Sequence, residues 1–221
     1  MANTQQQVLN TKDQVTGILS FATSHHIGLH HLPQILRQFS DLYPNAILDI
    51  HFLDSEQAYE RLLLGKIEFA LITLAPTSPD GIEHHPLWHD PLHFVISPNH
   101  PLASQQEQLN LSILSQSPAI LPDLSTYTGR IIEKLFDQHQ IELQTSMSSN
   151  YLETIKMMVA VGLGWSVLPT TLLDQDLISI NIDQIALSRT LGYITARQRT
   201  LSKAGQAFIS LLEAEKELKL S

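Results

Sequence analysis

The chain has 221 residues, of which 43% are hydrophobic and 16% charged, a balance typical of a folded protein rather than a disordered one. It contains no cysteine, which excludes disulfides, thiolate metal sites and cysteine nucleophiles. Its formal net charge of −9 opposes contact with a phosphate backbone, so we expect these residues not to bind DNA or RNA on their own.

The N-terminal segment, residues 1–14, is polar and has no hydrophobic periodicity, which predicts a linker remnant or a cloning-derived end. It lacks the basic start and the apolar core of a signal peptide. No later apolar run approaches the roughly 20 residues of a membrane span. We therefore expect a cytoplasmic location and no membrane contact.

The first half of the chain alternates strand-like and helix-like patterns. "VTGILSFA" predicts a buried strand, and a helix follows whose apolar face carries Leu32, Ile35, Leu36 and Phe39. "LDIHF" alternates as a strand does, Ser55 can cap a short helix, and the apolar "FALIT" is typical of a parallel strand covered on both faces. The order strand, helix, strand, helix, strand predicts an open α/β lobe.

A second set of alternating elements follows the break "APTSPDG". Asn150, with Glu153 three residues later, is the predicted N-cap of one of its helices. The sequence thus predicts two α/β lobes joined by strands near 89–95 and 187–193. We expect lobe I to comprise residues 15–90 and 190–221, and lobe II residues 91–189.

Five motifs occur in order along residues 15–215, although none would be specific alone. They are "GILSFATSHHIGLHHLPQILRQFSDLYPNAILDI", "LLLGKIEFALIT", "LWHDPLHFVISPNHPLA", "TGRIIEKLF" and "IKMMVAVGLGWSVLP". Together they resemble the C-terminal effector-binding domain of the LysR-type transcriptional regulators. That resemblance implies a two-lobed fold like the type 2 periplasmic binding proteins, in which each lobe is a mixed sheet flanked by helices and two crossover strands join the lobes.

The resemblance also implies partners. The domain would sense a small-molecule effector, form a homodimer or tetramer, and need no cofactor. It would act on DNA only through an N-terminal winged helix-turn-helix, which has no match in this sequence. The helix from Leu32 to Phe39 would meet the second lobe of another subunit; the alternative is that this helix serves only the core of a monomer.

In that family the effector lies in the cleft between the lobes, where strand ends and helix starts supply N–H donors to an anion. We therefore expect a small, anionic metabolite there. The predicted effector-binding residues supply hydroxyl, imidazole, amide and backbone groups: Thr23, Ser24, His25, His26, Thr73, Ser125, Thr126, Tyr127, Thr128, Ser149 and Asn150.

Several of these residues have plainer alternatives. Thr23 or Ser24 can simply cap a helix, and so can Thr128. Thr73 can be an ordinary β-branched strand residue. Asp54 and Ser55 are weaker additions to the site, and Arg130 can pair with a carboxylate or remain an exposed helix residue.

The histidines pose a separate question, because four of them lie within His25–His31. His26 and His30 have the four-residue spacing of helical zinc ligands. The stretch contains no Asp or Glu to complete or orient such a set. A second run, His84, His85, His89 and His93, falls on the connection between the lobes. We expect no metal, and we note that imidazoles could make effector affinity depend on pH.

Catalytic motifs are missing from the sequence: it has no G-x-S-x-G, P-loop, G-x-G-x-x-G or H-E-x-x-H. We therefore expect no catalytic residues and no enzyme activity. Two functions from other classes stay open at this point, a solute-binding protein of a transporter and an enzyme on the same scaffold.

Overall fold

The computed structural model describes residues 15–182 and 185–220; the predicted linker remnant, residues 1–14, lies outside them. The described chain divides into two compact units, one of which ends at Trp88 and resumes at Leu191, while the other runs from His89 to Thr190. Among the described residues, none of the helices combines the length and the apolar character that crossing a bilayer requires.

Unit 1 is built mainly from the first 88 residues of the chain. Its helices and strands are β1 (Gly17–Thr23), α1 (His25–His30), α2 (Pro33–Leu42), β2 (Ala46–Phe52), α3 (Ser55–Leu63), β3 (Phe69–Thr73) and the first part of β4 (Ile82–Ile96).

Unit 2 follows within the same strand. After the remainder of β4 come a 3₁₀ segment (Pro101–Gln108), α4 (Leu111–Ser115), β5 (Ala119–Leu121), α5 (Tyr127–Gln138), β6 (Thr145–Ser148), α6 (Leu152–Ala160), β7 (Ser166–Pro169), a 3₁₀ turn (Thr170–Leu172), β8 (Ile178–Ile180) and the start of β9 (Leu187–Ala196). The end of β9 and the terminal helix α7 (Lys203–Leu220) belong to unit 1.

The sheet of unit 1 has the strand order β2-β1-β3-β9-β4. β1 pairs in parallel with β2 and β3, and β3 pairs antiparallel with β9. Every residue of β3 is buried, as its continuous apolar run predicted. Because β1 and β3 run in parallel, their carboxyl ends, Thr23 and Thr73, lie at the same edge of the sheet.

One face of this sheet carries the main core of unit 1. The rings of Phe21 and Phe69 stack with centroids 4.9 Å apart, and Phe208 of α7 contacts both. Ile35 and Phe39, four residues apart on α2, are fully buried against the same cluster. Pro33 stands at the start of α2, so the single helix predicted after the first strand is divided into α1 and α2.

Unit 2 has its own core. β4 pairs antiparallel with β7 and β8, while β5 and β6 pair in parallel. Trp165 is fully buried in this core and stacks on Phe136 of α5, with ring centroids 5.8 Å apart. Its indole Nε1 donates to the carbonyl oxygen of Ser117 at 3.1 Å, so the polar atom of the ring is satisfied.

Candidate functional site

Four polar residues, Thr23, Ser24, Ser55 and Thr73, form a polar group in unit 1, and two of them are buried threonines. Thr23 is fully buried and Thr73 is 5% exposed. The backbone N–H of Ser24 donates to the carbonyl oxygen of Leu71 at 3.0 Å, and the N–H of Thr73 donates to Oγ of Ser55 at 3.2 Å. The fold therefore brings Thr23, Ser24, Thr73 and Ser55 to the carboxyl edge of β1 and β3.

The expected caps in unit 1 differ in detail. Ser24 is the N-cap residue of α1, but its side chain makes no capping hydrogen bond. Thr23 Oγ1 instead donates to the carbonyl oxygen of Ser24 at 3.2 Å. The prediction that Ser55 caps the next helix is wrong: Asp54 is the N-cap of α3, and Ser55 is its first residue, with Oγ turned to Thr73.

The histidines of α1, and His31 directly after it, pack against aromatic rings. His26 is buried, and its ring centroid lies 4.8 Å from that of His30 and 5.9 Å from that of His31. The His31 ring lies 4.6 Å from the ring of Trp88, and His25 lies 5.6 Å from the ring of Phe52. The predicted roles of His25 and His26 in effector binding, and the predicted absence of a metal, stay predictions.

The second run of histidines does not form one group. His84 Nε2 shares a hydrogen bond with Tyr59 Oη at 2.7 Å, and His85 stacks on Tyr193 with centroids 4.3 Å apart. His93, in unit 2, contacts Thr170 Oγ1 through Nε2 at 2.9 Å. These three imidazoles, His84, His85 and His93, each have a different partner and serve local packing and hydrogen bonding.

His84 supplies a prediction about stability. Burial, and after it the neighbouring His85, lowers the pKa of His84 below 6.5. The unfolded chain therefore binds a proton at this residue more readily than the folded chain, and unfolding becomes easier as the pH falls through the ordinary histidine range. We expect His84→Gln to reduce the difference in unfolding free energy between about pH 8 and about pH 5.5.

Urea titration at the two pH values measures that difference. The exposed His89→Gln is the matched control and should leave the difference as it is in the unsubstituted protein. Burial also lowers the pKa of His100 in unit 2. His100 therefore accounts for part of the pH-dependent difference in unfolding free energy that remains in His84→Gln. If His84→Gln shows the same difference in unfolding free energy between the two pH values as the unsubstituted protein, the prediction is wrong.

A Ser-Asp-His cluster on the strands of unit 1 needs separate consideration. Ser20 Oγ donates to Asp49 Oδ2 at 2.8 Å, and His51 Nε2 lies 3.1 Å from the same oxygen and 3.3 Å from Ser20 Oγ. The hydrogen bond from Ser20, and then that from His51, lowers the pKa of Asp49. In a hydrolytic triad the two imidazole nitrogens serve serine and carboxylate separately. Here one nitrogen meets both groups, so the cluster links neighbouring strands and is not arranged as a triad.

The polar group of unit 2 surrounds the start of α5. Thr126 is the N-cap, and its Oγ1 accepts from the N–H of Gly129 at 3.0 Å. Ser125 donates to Asp123 Oδ1 through both N and Oγ, at 2.8 and 2.6 Å, and thereby lowers the pKa of Asp123. Thr128 is buried in the first turn. The alternative that Thr128 is the cap is therefore wrong, because Thr126 holds that position.

The residues after β6 complete this group. The N–H of Asp123 donates to Asn150 Oδ1 at 3.2 Å, and the N–H of Ser149 donates to the carbonyl oxygen of Leu121 at 3.2 Å. Tyr151, not Asn150, is the N-cap residue of α6. The predicted capping role of Asn150 is wrong because its amide oxygen holds the β5–α5 loop.

Gly129 allows the loop between β5 and α5 to pack closely against the start of α5. A Cβ at this position would lie 2.2 Å from the carbonyl oxygen of Asp123, so any larger residue would push the loop from the helix start. Arg130 stays with its own helix start: Nη1 donates to the carbonyl oxygen of Ser125, and the guanidinium lies 4.6 Å from the centre of the Tyr127 ring.

Sequence reasoning missed two charged residues in unit 2. Arg189 Nε donates to Asp90 Oδ2 at 2.7 Å, and Arg189 Nη1 donates to Thr128 Oγ1 at 2.9 Å. The side chains of Asp90 and Arg189 are each only 5% exposed. A signal did exist: on the same face of its strand, two positions away on either side, each charge has an apolar residue, Trp88 and Leu92 for Asp90 in β4, and Leu187 and Leu191 for Arg189 in β9. Two opposite charges of that kind predict a buried ion pair.

Comparison with known proteins supplies further evidence. The family model described as the LysR substrate binding domain matches residues 12–217. The HTH-type transcriptional regulator CysL of Bacillus subtilis is 26% identical over 211 residues, which cover 93% of this chain and 70% of that protein.

Solved structures agree in fold. The effector-binding domain of QuiR in complex with shikimate superposes with a TM-score of 0.79 at 18% identity, covering 92% of this chain and 98% of that one. The regulatory domain of CcmR from Synechocystis PCC6803, in complex with 2-PG, gives a TM-score of 0.79 at 22% identity, covering 91% and 98%. At these identities the likeness concerns the fold alone.

Proposed function

We propose, because this chain belongs to the LysR substrate-binding domain family, that it is the effector-sensing part of a transcriptional regulator and binds a small anionic metabolite. The family and the fold class predicted from the sequence are thereby confirmed. The metabolite, its anionic character and the residues that bind it are our proposal.

The pair of buried hydroxyls at the carboxyl edge of β1 and β3 carries this proposal. Thr23 and Thr73 are buried polar side chains in a mainly apolar unit, and buried polar groups are normally hydrogen-bonded. Thr23 Oγ1 already donates to the carbonyl oxygen of Ser24 and can still accept a hydrogen bond. Ser24 and Ser55 lie beside them. We assign Thr23, Ser24 and Thr73 to the effector, together with His25 and His26 of the adjoining α1.

The group in unit 2 contributes a second set of contacts in this proposal. Its members are those placed around the start of α5 and the end of β6: Ser125, Thr126, Tyr127, Thr128, Ser149 and Asn150. Three of them already have structural roles, since Thr126 caps α5, Asn150 holds the preceding loop and Ser125 donates to Asp123. Thr128 is buried, and its hydroxyl accepts from Arg189 and keeps its own proton to donate, so we expect Thr128 to matter most for binding among them.

In the regulator, effector binding would favour one of two conformations of an oligomer that meets DNA through a separate domain. The domain itself would catalyse no reaction, in keeping with relatives that are transcriptional regulators. A regulator of chromosomal DNA works in the cytoplasm, and that is where we place this one.

Thermal unfolding with a panel of metabolites tests the proposal. A ligand at a hundred times its dissociation constant adds about 2.7 kcal/mol of stability. For a protein of this size that corresponds to a rise in the unfolding midpoint of roughly 5–10 °C. The panel should contain carboxylates, amino-acid derivatives, oxyanions and neutral sugars.

Variants of unit 1 locate the binding site. We expect Thr73→Val and Thr23→Val, which remove only the hydroxyl, to abolish most of the midpoint shift. Thr200→Val, at an exposed position of the same unit, is the matched control and should keep it. A shift that survives in both buried variants would move the site elsewhere, and no shift with any compound would refute the proposed function.

A further inference from the structure

Arg189 is a buried cation in unit 2 with one nitrogen unused. Nε donates to Asp90 and Nη1 donates to Thr128, as described above. Nη2 is buried, and within the described residues it has no hydrogen-bond partner. Buried guanidinium N–H groups are nearly always paired in native proteins, so an unpaired one calls for a partner from outside the chain.

Thr128 places that nitrogen beside the start of a helix. Thr128 is the second residue of α5, which is 12 residues long. Its backbone N–H belongs to the first turn, where N–H groups have no acceptor inside the helix. Its hydroxyl accepts a hydrogen bond from Arg189 Nη1 and still has its own proton to donate.

The hydrogen bond from Arg189 Nη1 to Thr128 Oγ1, 2.9 Å long, brings three donors near one another. They are Nη2 of Arg189, the hydroxyl of Thr128 and the N–H of Thr128. A group with two acceptor oxygens on one atom matches such a set, since it accepts from a guanidinium and from a helix start at once.

Asp90 narrows the choice of ligand. Its carboxylate balances the guanidinium, so the formal charge of the pair is zero. The carboxylate of Asp90 would repel a doubly charged anion, and the site has no surplus positive charge to offset that repulsion. A singly charged carboxylate needs only the donors and the positive end of the helix dipole.

We propose that Arg189 and Thr128 form a carboxylate-recognition element in unit 2, with Asp90 as the positioning residue that holds the guanidinium. This inference rests on the proposed function and names the chemical group of the effector. It adds Arg189 to the residues that bind it.

Simple anions are the probes for this element. Sodium acetate, sodium succinate and sodium sulfate are compared with sodium chloride at equal ionic strength, and apparent dissociation constants are taken from the unfolding midpoint and from calorimetry. In the unsubstituted protein we expect acetate and succinate to raise the midpoint saturably above chloride. Sulfate should bind more weakly.

Four variants assign the binding to the element. Thr128→Val removes the hydroxyl and Arg189→Lys keeps the charge but removes the forked donor; each should raise the apparent dissociation constant at least about tenfold. Thr128→Ser keeps the hydroxyl and should bind like the unsubstituted protein. Lys134→Gln removes an exposed positive charge from the same helix and should also have no effect. Midpoints in chloride alone show whether each variant is folded, and if Arg189→Lys is not, the Thr128 pair decides.

The outcomes separate this inference from the proposed function. If Thr128→Val and Arg189→Lys bind carboxylates as tightly as the unsubstituted protein, the inference is overturned. The proposed function would still stand if an effector binds elsewhere in the domain. Failure of every anion to exceed chloride also overturns the inference, and a neutral metabolite that binds in the wider screen would still support the function. If neither anions nor metabolites bind, both fall.

Discussion

Asp90→Ala is expected to lower the free energy of unfolding by about 3–5 kcal/mol. The substitution leaves the guanidinium of Arg189 buried without its carboxylate, because Arg189 Nε donates to Asp90 Oδ2 at 2.7 Å and both side chains are 5% exposed. Most of the loss comes from the uncompensated charge rather than from the worth of the pair itself. Urea unfolding followed by circular dichroism measures it.

A double substitution tests that reasoning. Asp90→Leu combined with Arg189→Met removes both charges and fills the space with apolar groups, so it should recover most of the stability that Asp90→Ala loses. Asp174→Ala removes the carboxylate of the more exposed pair with Lys156 in the same unit and should cost far less. A double variant as unstable as Asp90→Ala would show that the buried charge is not the cause.

Trp165→Ala is the second large prediction, with an expected loss of about 3–5 kcal/mol. Trp165 is fully buried, its ring lies 5.8 Å from Phe136 and 6.0 Å from Phe94, and Nε1 donates to the carbonyl oxygen of Ser117 at 3.1 Å. Truncation leaves a cavity among rings that cannot close it fully, and it removes the partner of a carbonyl.

Trp165→Phe separates these two contributions. It keeps an aromatic ring against Phe136 but loses the indole donor, so we expect a smaller loss than in the alanine variant. The same urea titration compares the two. If Trp165→Ala unfolds at nearly the same denaturant concentration as the unsubstituted protein, the core of unit 2 does not depend on this side chain.

The order of the secondary structure could be predicted because hydrophobic period is a local property. "FALIT" is continuously apolar and β3 is buried throughout, while Ile35 and Phe39 have helical spacing and both face the core of unit 1. The meeting of Thr23 and Thr73 was only partly predictable. Parallel strands end at one edge of a sheet, which the sequence indicates, but Thr23 and Thr73 come close because β1 and β3 are also adjacent in that sheet.

The caps could not be assigned in the same way. Ser, Thr and Asn at neighbouring positions all have capping side chains, and the sequence offers no means of choosing between them. The structure assigns the start of α5 to Thr126, whose Oγ1 reaches the N–H of Gly129. In the structure the amide oxygen of Asn150 accepts a hydrogen bond from the N–H of Asp123, which lies in the loop after β5.

The sequence by itself determined the family and the alternation of strands and helices, because each depends on local pattern along the chain. Only the tertiary structure decided that Arg189 pairs with Asp90 and donates to Thr128. Those partners lie 99 and 61 residues away along the chain. A lone charge in a strand indicates that a partner is needed, but the packing of strands and helix determines which residue is close enough to serve.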